Sequence, residues 1–279
     1  MIAQPFEYAA PKTLDEALKL VAAGGKPLAG GMSLIPMMKL RLAVPEQLVD
    51  LGRIRDLDYI RESGAELHIG AMTTHYGIES SALIRTKCPL LGAAAAAIGD
   101  VQIRNVGTIG GSVAHADPAA DYPAALQALE AKIVIQGADA ARTVPAEEFF
   151  VDAFTTTLGP GEILKEIVVP VEDGRTSYQK APQPASGFAL VGVAVRVKKA
   201  GGMIVSAHIG VTGLSNKSFR TTAAETALVG TPGAASDIQR AAALVAQGVD
   251  ANSDLHASAH YRKHLAGVYA ARALTAALS

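Results

Sequence analysis

Two long runs rich in β-branched residues, 188–198 and 203–214, are separated by Ala200-Gly201-Gly202. That spacing is a hairpin signature, and strands of this length commit the region to an antiparallel sheet. Three helical stretches follow, at 221–229, 236–247 and 258–278. They supply the apolar faces that one side of such a sheet needs. The C-terminal part is therefore expected to be a sheet packed against helices.

Before about residue 175 the texture differs. Thr13 and Glu16 have the spacing of a capping box, in which the hydroxyl caps and the carboxylate reaches back. Leu14, Ala17, Leu18 and Val21 follow at helical spacing, and Gly24-Gly25 ends that helix. A short strand at 27–29 runs into Gly30-Gly31, Ser33 caps a helix at 34–40, and 47–51 reads as a strand. Residues 1–53 thus form a small β-α-β-α-β unit. Strands at 58–60 and 66–69 join through Gly64-Ala65. An Ala-rich buried helix is expected at 89–98, a glycine-rich loop at 106–112, and a helix at 117–129 with Asp117 as its N-cap. Strands at 132–136 and 163–169 complete the pattern. The fold class is α+β. Two N-terminal α+β subdomains, 1–55 and 56–175, precede a C-terminal antiparallel sheet with packed helices, 176–279.

Composition narrows the function. Hydrophobic residues make up 49% and charged residues 18% of 279, as in a folded protein rather than a disordered one. A net charge of -1 carries no electrostatic footprint for nucleic acid or an anionic membrane. Cys88 is the single cysteine, so no intrachain disulfide forms. One thiol cannot hold an iron–sulfur cluster, which normally needs about four ligands. If this chain handles electrons, the carrier is organic or sits on a partner. No basic-then-apolar leader opens the sequence, and the longest apolar run, 90–98, is far short of the roughly 20 residues of a membrane span. A cytoplasmic location is expected.

The candidate site rests on two double glycines. In Pro27-Leu28-Ala29-Gly30-Gly31-Met32-Ser33-Leu34 a strand enters the glycines and a helix starts at once. Glycine lets backbone approach a ligand closely, and free N–H groups at a helix start favour a phosphate. Thr108-Ile109-Gly110-Gly111-Ser112 again places two glycines between hydroxyls, and Asp121 downstream offers a carboxylate to a sugar hydroxyl. Neither segment is the G-x-G-x-x-G fingerprint or a P-loop. Either alone is most simply a turn; together they point to a ligand.

Residues 29–34, followed by 36–42, closely resemble the first FAD motif of the medium, flavin-binding subunits of the xanthine dehydrogenase and carbon monoxide dehydrogenase family. Thr108-Ile109-Gly110-Gly111 looks like the second motif, 115–123 is similar to the segment after it, and 261–265 also fits. The resemblance spans the whole chain in order. It implies FAD held between the two N-terminal subdomains. Pro27, Leu28, Ala29, Gly30, Gly31, Met32, Ser33 and Leu34 would wrap the pyrophosphate. Thr108, Ile109, Gly110, Gly111 and Ser112 would hold the other side of the phosphates and the ribityl chain. Asp121 would bond a sugar hydroxyl, and Ile98 and Leu164 would pack on the cofactor. Lys180 would lie near the polar edge of the flavin, and Phe188 over the isoalloxazine face. Many relatives carry an arginine and an acidic residue where this chain has Ala181-Pro182-Gln183-Pro184-Ala185-Ser186-Gly187. The resemblance further implies a large partner subunit with molybdopterin-molybdenum and a small partner with two [2Fe-2S] clusters, in a dimer of heterotrimers. Electrons would pass through this FAD to an external acceptor. The alternative is a self-contained flavoprotein oxidase or dehydrogenase.

Other polar residues read more simply. His256, His260 and His264 recur every four residues, but no carboxylate or thiol completes a metal set, so they are solvated or packed. His115 is expected to position structure or cofactor rather than move protons, and Cys88 to pack.

Overall fold

The computed structural model describes residues 2–279 and is α+β. The chain opens with strand β1 (Glu7–Ala9), helix α1 (Leu14–Ala22), β2 (Lys26–Leu28), α2 (Leu34–Lys39) and β3 (Gln47–Asp50). The strands form a parallel sheet in the order β1-β3-β2. Thr13 caps α1 by accepting the Glu16 N–H at 3.2 Å. The Glu16 carboxylate takes the Lys12 N–H instead of closing the box on Thr13. Ala17, Leu18 and Val21 pack on Val49, Leu51, Ile54 and Leu57. Ser33 stands at the N-cap of α2 but caps nothing: its backbone is already right-handed helical, whereas a capping side chain needs an extended one.

The middle of the chain continues with β4 (Ile60–Ser63) and β5 (Glu66–Gly70). Five helices follow: α3 (His75–Ser80), α4 (Ala82–Lys87), α5 (Pro89–Ala96), α6 (Val101–Val106) and α7 (Ile109–His115). After α8 (Tyr122–Ala128) come β6 (Lys132–Gln136), β7 (Ala141–Pro145), α9 (Ala146–Phe149), the ribbon β8–β9 (Phe150–Asp152, Thr155–Thr156) and β10 (Ile163–Pro170). The sheet is antiparallel, in the order β4-β5-β10-β6-β7. Its buried face and the Ala-rich α5 share a core with Tyr122, Phe149 and Leu126.

Three expectations change here. The strand expected at 58–60 begins only at Ile60. The stretch 106–112 is not a loop: α6 ends at Val106, and Thr108 caps α7, accepting the Gly111 N–H at 3.1 Å. The helix expected from residue 117 starts at Tyr122. Asp117 makes a local turn, its side chain accepting from Ala119 N, and that bond competes with helix formation.

The last part is β11 (Arg175–Pro182), β12 (Ala189–Ala200), β13 (Met203–Thr212) and β14 (Phe219–Arg220), then α10 (Thr222–Leu228), α11 (Ala235–Leu244) and α12 (Ala259–Leu278). Gly201 and Gly202 both have positive φ, 58° and 80°, which suits the tight turn of a twisted hairpin. Val191, Val193, Val195 and Val197 of β12 point to the three helices. Ala194, on the opposite face, joins the core around α5 and α8. Helix α8 lies so close to β13 that a Cβ at Gly210 would sit 2.0 Å from the Ala124 carbonyl oxygen. The C-terminal sheet is therefore covered on both faces. Of the spaced histidines, His256 precedes α12 and His260 and His264 are exposed on it.

Candidate cofactor site

The two glycine segments meet. A Cβ at Gly30 would lie 2.1 Å from the Val106 carbonyl oxygen, and one at Gly111 would lie 3.3 Å from the Ala29 Cβ. Backbone therefore touches backbone along one line between the first sheet and α6–α7. Pro27 and Leu28 reach this line from β2, held against Val49 and Asp50 of β3. Gly31 turns the chain with φ of 71°, and Met32 is exposed. Among the described residues, no protein acceptor takes the N–H groups of Gly30, Gly31, Met32, Ser33 or Leu34. Five consecutive donors without partners suit an anionic oxygen-rich ligand.

The second segment is differently engaged. Ile109 N donates to Thr73 O at 3.0 Å, Gly110 N to Ala71 O at 2.9 Å, and Gly111 N to the Thr108 hydroxyl. Ile109 and Gly110 are buried. A Cβ at Gly110 would collide with Ala71. This segment mainly docks α7 on the turn after β5, leaving the Ser112 hydroxyl, half-buried, without a protein partner among the described residues.

The remaining residues split into two groups. Ile98, Asp121, Lys180 and the Gly187–Phe188 turn come together. Lys180 Nζ pairs with Asp121 Oδ1 at 2.8 Å and donates to Ala97 O and Gly187 O, the carbonyls just before Ile98 and Phe188. Phe188 is 44% exposed. Leu164 of β10 is buried in the central core, against which Ile98 also packs.

Four residues that the sequence reading passed over support this arrangement. Arg104 donates to Ile98 O at 3.0 Å and pairs with Glu79, closing the end of α5. Tyr178 donates to Asp121 Oδ1 at 2.6 Å; it lies two residues before Lys180, so both point to one face of β11. Thr73 lies in the turn after β5, and His75 opens α3. The His75 N–H donates to Gly107 O, its Nδ1 lies 3.1 Å from the Tyr122 hydroxyl, and a Cβ at Gly107 would strike its Nε2. The Thr-Thr-His run offered no motif to single it out; the polar residues at 178 and 180 would have been paired had β11 been recognised.

Burial shapes the electrostatics. Desolvation, with the Arg104 charge adding to it, pulls His75 down to about 4, so the ring is neutral. Asp121 is raised by burial, against the pull of Lys180 and Tyr178. His115 is lowered by burial and lies against Phe154 in a tilted contact, with ring centres 5.1 Å apart. Cys88 is buried and its thiol pushed up.

His75 gives a pH prediction. In the unfolded chain a histidine titrates near 6.5, so the unfolded state binds the extra proton first. Stability is then full above that pH and falls as acid is added through the window from about 6.5 down to about 4. The loss should approach about 3 kcal/mol, from 1.36 kcal/mol per unit. Denaturant unfolding at several pH values should show that slope flattened in His75→Gln. An unchanged slope would mean that another group carries it.

Comparison with known proteins agrees with this architecture. Residues 4–172 match the family described as FAD binding domain in molybdopterin dehydrogenase, and 176–277 the CO dehydrogenase flavoprotein C-terminal domain. The carbon monoxide dehydrogenase medium chain of Hydrogenophaga pseudoflava is 40% identical over 282 residues, covering 99% of this chain and 98% of that one. The glyceraldehyde dehydrogenase medium chain of Sulfolobus acidocaldarius is 37% identical over 271 residues, 96% of each. A solved carbon monoxide dehydrogenase from Hydrogenophaga pseudoflava, lacking the Mo-pyranopterin moiety of its molybdenum cofactor, superposes with TM-score 0.96 at 42% identity, over 99% of this chain and 98% of that one. Quinoline 2-oxidoreductase from Pseudomonas putida 86 gives 0.96 at 31%, over 100% and 98%. The chain belongs to the family of FAD-binding medium subunits of molybdenum-containing hydroxylases and dehydrogenases, with the carbon monoxide and xanthine dehydrogenases among its members.

Proposed function

We propose that this chain holds FAD in the cleft between its first sheet and α6–α7 and passes electrons through it. Clusters on a small iron–sulfur partner deliver them, and an external acceptor takes them away. Substrate is oxidised at molybdopterin-molybdenum on a large partner, the whole forming a dimer of heterotrimers in the cytoplasm. The observation that carries the reading is the run of unpartnered N–H groups from Gly30 to Leu34, set where two glycine segments touch. Those donors hold the pyrophosphate, and Ile98 and Phe188 meet the apolar rings. Bound flavin supplies the ability to take electrons singly and release them in pairs; the protein supplies position and field. Among the described residues no group of His, Cys, Asp or Glu could hold a metal, and no helix is long and apolar enough to cross a membrane. The three units are taken as 1–55, 56–175 and 176–279.

The visible spectrum of the gently purified native assembly, before and after dithionite, tests this. Flavin bands that bleach, riding on an iron–sulfur shoulder, are expected. A chain alone whose flavin is reduced directly by a small substrate would favour the self-contained oxidase. A colourless preparation that added FAD cannot restore would end the FAD reading.

A further inference from the structure

Gly107, between α6 and α7, is not reserved for glycine by its backbone. With φ of -63° and ψ of 143° it is extended, a conformation open to any residue. What reserves it is space. A Cβ there would lie 2.6 Å from His75 Nε2 and 2.9 Å from His75 Cδ2. The imidazole occupies the place that a side chain at 107 would take. The same glycine is where the first segment arrives, since a Cβ at Gly30 would fall 2.8 Å from the Gly107 Cα.

The ring is itself held. His75 is 4% exposed, and its backbone N–H donates to Gly107 O at 2.9 Å. Thr74 and Thr108 form an antiparallel bridge beside that bond, and Ile109 N donates to Thr73 O. On the next turn of α3 and of α6, Glu79 and Arg104 pair at 2.7 Å. His75 Nδ1 lies 3.1 Å from the Tyr122 hydroxyl, and the two rings meet at a tilt with centres 5.3 Å apart. Tyr122 is fully buried, and His75 is the only partner of its hydroxyl among the described residues. It opens α8 directly after Asp121. Gly30, Gly107, His75 and Tyr122 thus form one line of contacts from the end of β2 to α8.

We propose that His75 is a positioning residue: its imidazole is the spacer that sets the separation between the α6–α7 junction and the 29–34 segment, and so the shape of the cleft that FAD binding uses. It acts through Gly107 and the neighbouring Val106 carbonyl. The proposal rests on the FAD reading. Removing the ring leaves a cavity under Gly107 and a buried hydroxyl without its partner, and backbone relaxes toward such a gap. Movement of Gly107 carries with it the Val106 carbonyl against which Gly30 is packed.

A double-mutant cycle tests it, because substitutions at residues in contact do not add. FAD affinity is read by fluorescence titration of the native assembly stripped of flavin. Gly107→Ala and His75→Ala should each weaken binding by about ten-fold or more. The double variant should stay within about three-fold of His75→Ala alone, because the added methyl group enters the space the ring has left. Losses that multiply to about a hundred-fold overturn the spacer, as does wild-type affinity in His75→Ala. If the alanine variant does not fold, His75→Gln serves. Its flexible amide reaches the Tyr122 hydroxyl and yields to a methyl group, so Gly107→Ala should cost less affinity in that background than in the wild type. An equal cost overturns the spacer. Denaturant unfolding of the FAD-free chain repeats the cycle without cofactor, and the same non-additivity is expected in the midpoints. Additive midpoints overturn the contact, and non-additive midpoints with unaltered FAD affinity overturn its role in the cleft. If the wild-type assembly binds no flavin, the FAD reading fails, and the FAD-free cycle decides the spacer by itself.

Discussion

Gly30→Ala should leave the purified chain with little or no flavin. The added methyl carbon would sit 2.1 Å from the Val106 carbonyl oxygen and 2.8 Å from the Gly107 Cα, both backbone atoms that cannot rotate aside. Either the 29–34 segment or the α6–α7 junction must move. Overpacking of this kind typically costs about 1–3 kcal/mol. The shift also displaces the free N–H groups of Gly30 through Leu34. Each hydrogen bond to a charged group contributes about 1.5–3 kcal/mol, so losing one or two should weaken FAD binding roughly ten- to ten-thousand-fold. Titration of the FAD-free protein, followed by flavin fluorescence, reads this directly. A variant with wild-type affinity and an unchanged melting temperature would show that the two glycine segments do not touch.

The second large effect lies in the C-terminal sheet-and-helix part. Arg262 is 4% exposed and sits in the first turn of α12. Its Nη1 donates to Leu190 O at 2.6 Å and Gly213 O at 2.8 Å, and its Nη2 to Asp254 Oδ2 at 2.7 Å. One guanidinium thus ties the start of β12, the end of β13 and the loop before α12. Arg262→Met keeps much of the apolar volume but leaves two carbonyl groups without a partner. Each such loss costs about 1–3 kcal/mol, and the half-exposed Asp254 adds little because water screens it. A total of about 2–6 kcal/mol is expected, or a melting temperature lower by roughly 5–20 °C for a chain of this size. Calorimetry checks it. A drop of less than about one degree would mean that the three bonds are replaced by water at no cost. Arg262→Lys should recover only part, because a point charge cannot span the same fork.

Much of the fold could be read without coordinates because its causes are local. The 201–202 turn needed two positive-φ residues, and glycine tolerates these best. Thr13 capped the helix that its spacing announced. The three C-terminal helices carried enough apolar periodicity to be found; the double glycines were read as an approach to a ligand, and at Gly30 and Gly110 the close neighbour is other backbone of this chain. The single cysteine bounded the chemistry from composition alone.

What sequence could not supply depended on partners far along the chain. Adjacent glycines disfavour a helix by about 1 kcal/mol each, so 106–112 looked like a loop. It is half helix because Ala71 O and Thr73 O, some forty residues upstream, accept the N–H groups of Gly110 and Ile109. Strand β11 escaped notice because its residues are half-buried on both faces, which erases the two-residue alternation. With that strand hidden, the shared face of Tyr178 and Lys180 was hidden too. Lys180 read alone is a free cation near a ligand; folded, it also faces Ala97, Asp121 and Gly187, which only the tertiary fold brings together. Sequence determined the elements and the residue types at the cleft, since propensity, capping and turn chemistry act over a few residues. Tertiary structure decided which polar groups stayed free for a cofactor, since hydrogen-bond satisfaction is settled across the whole chain.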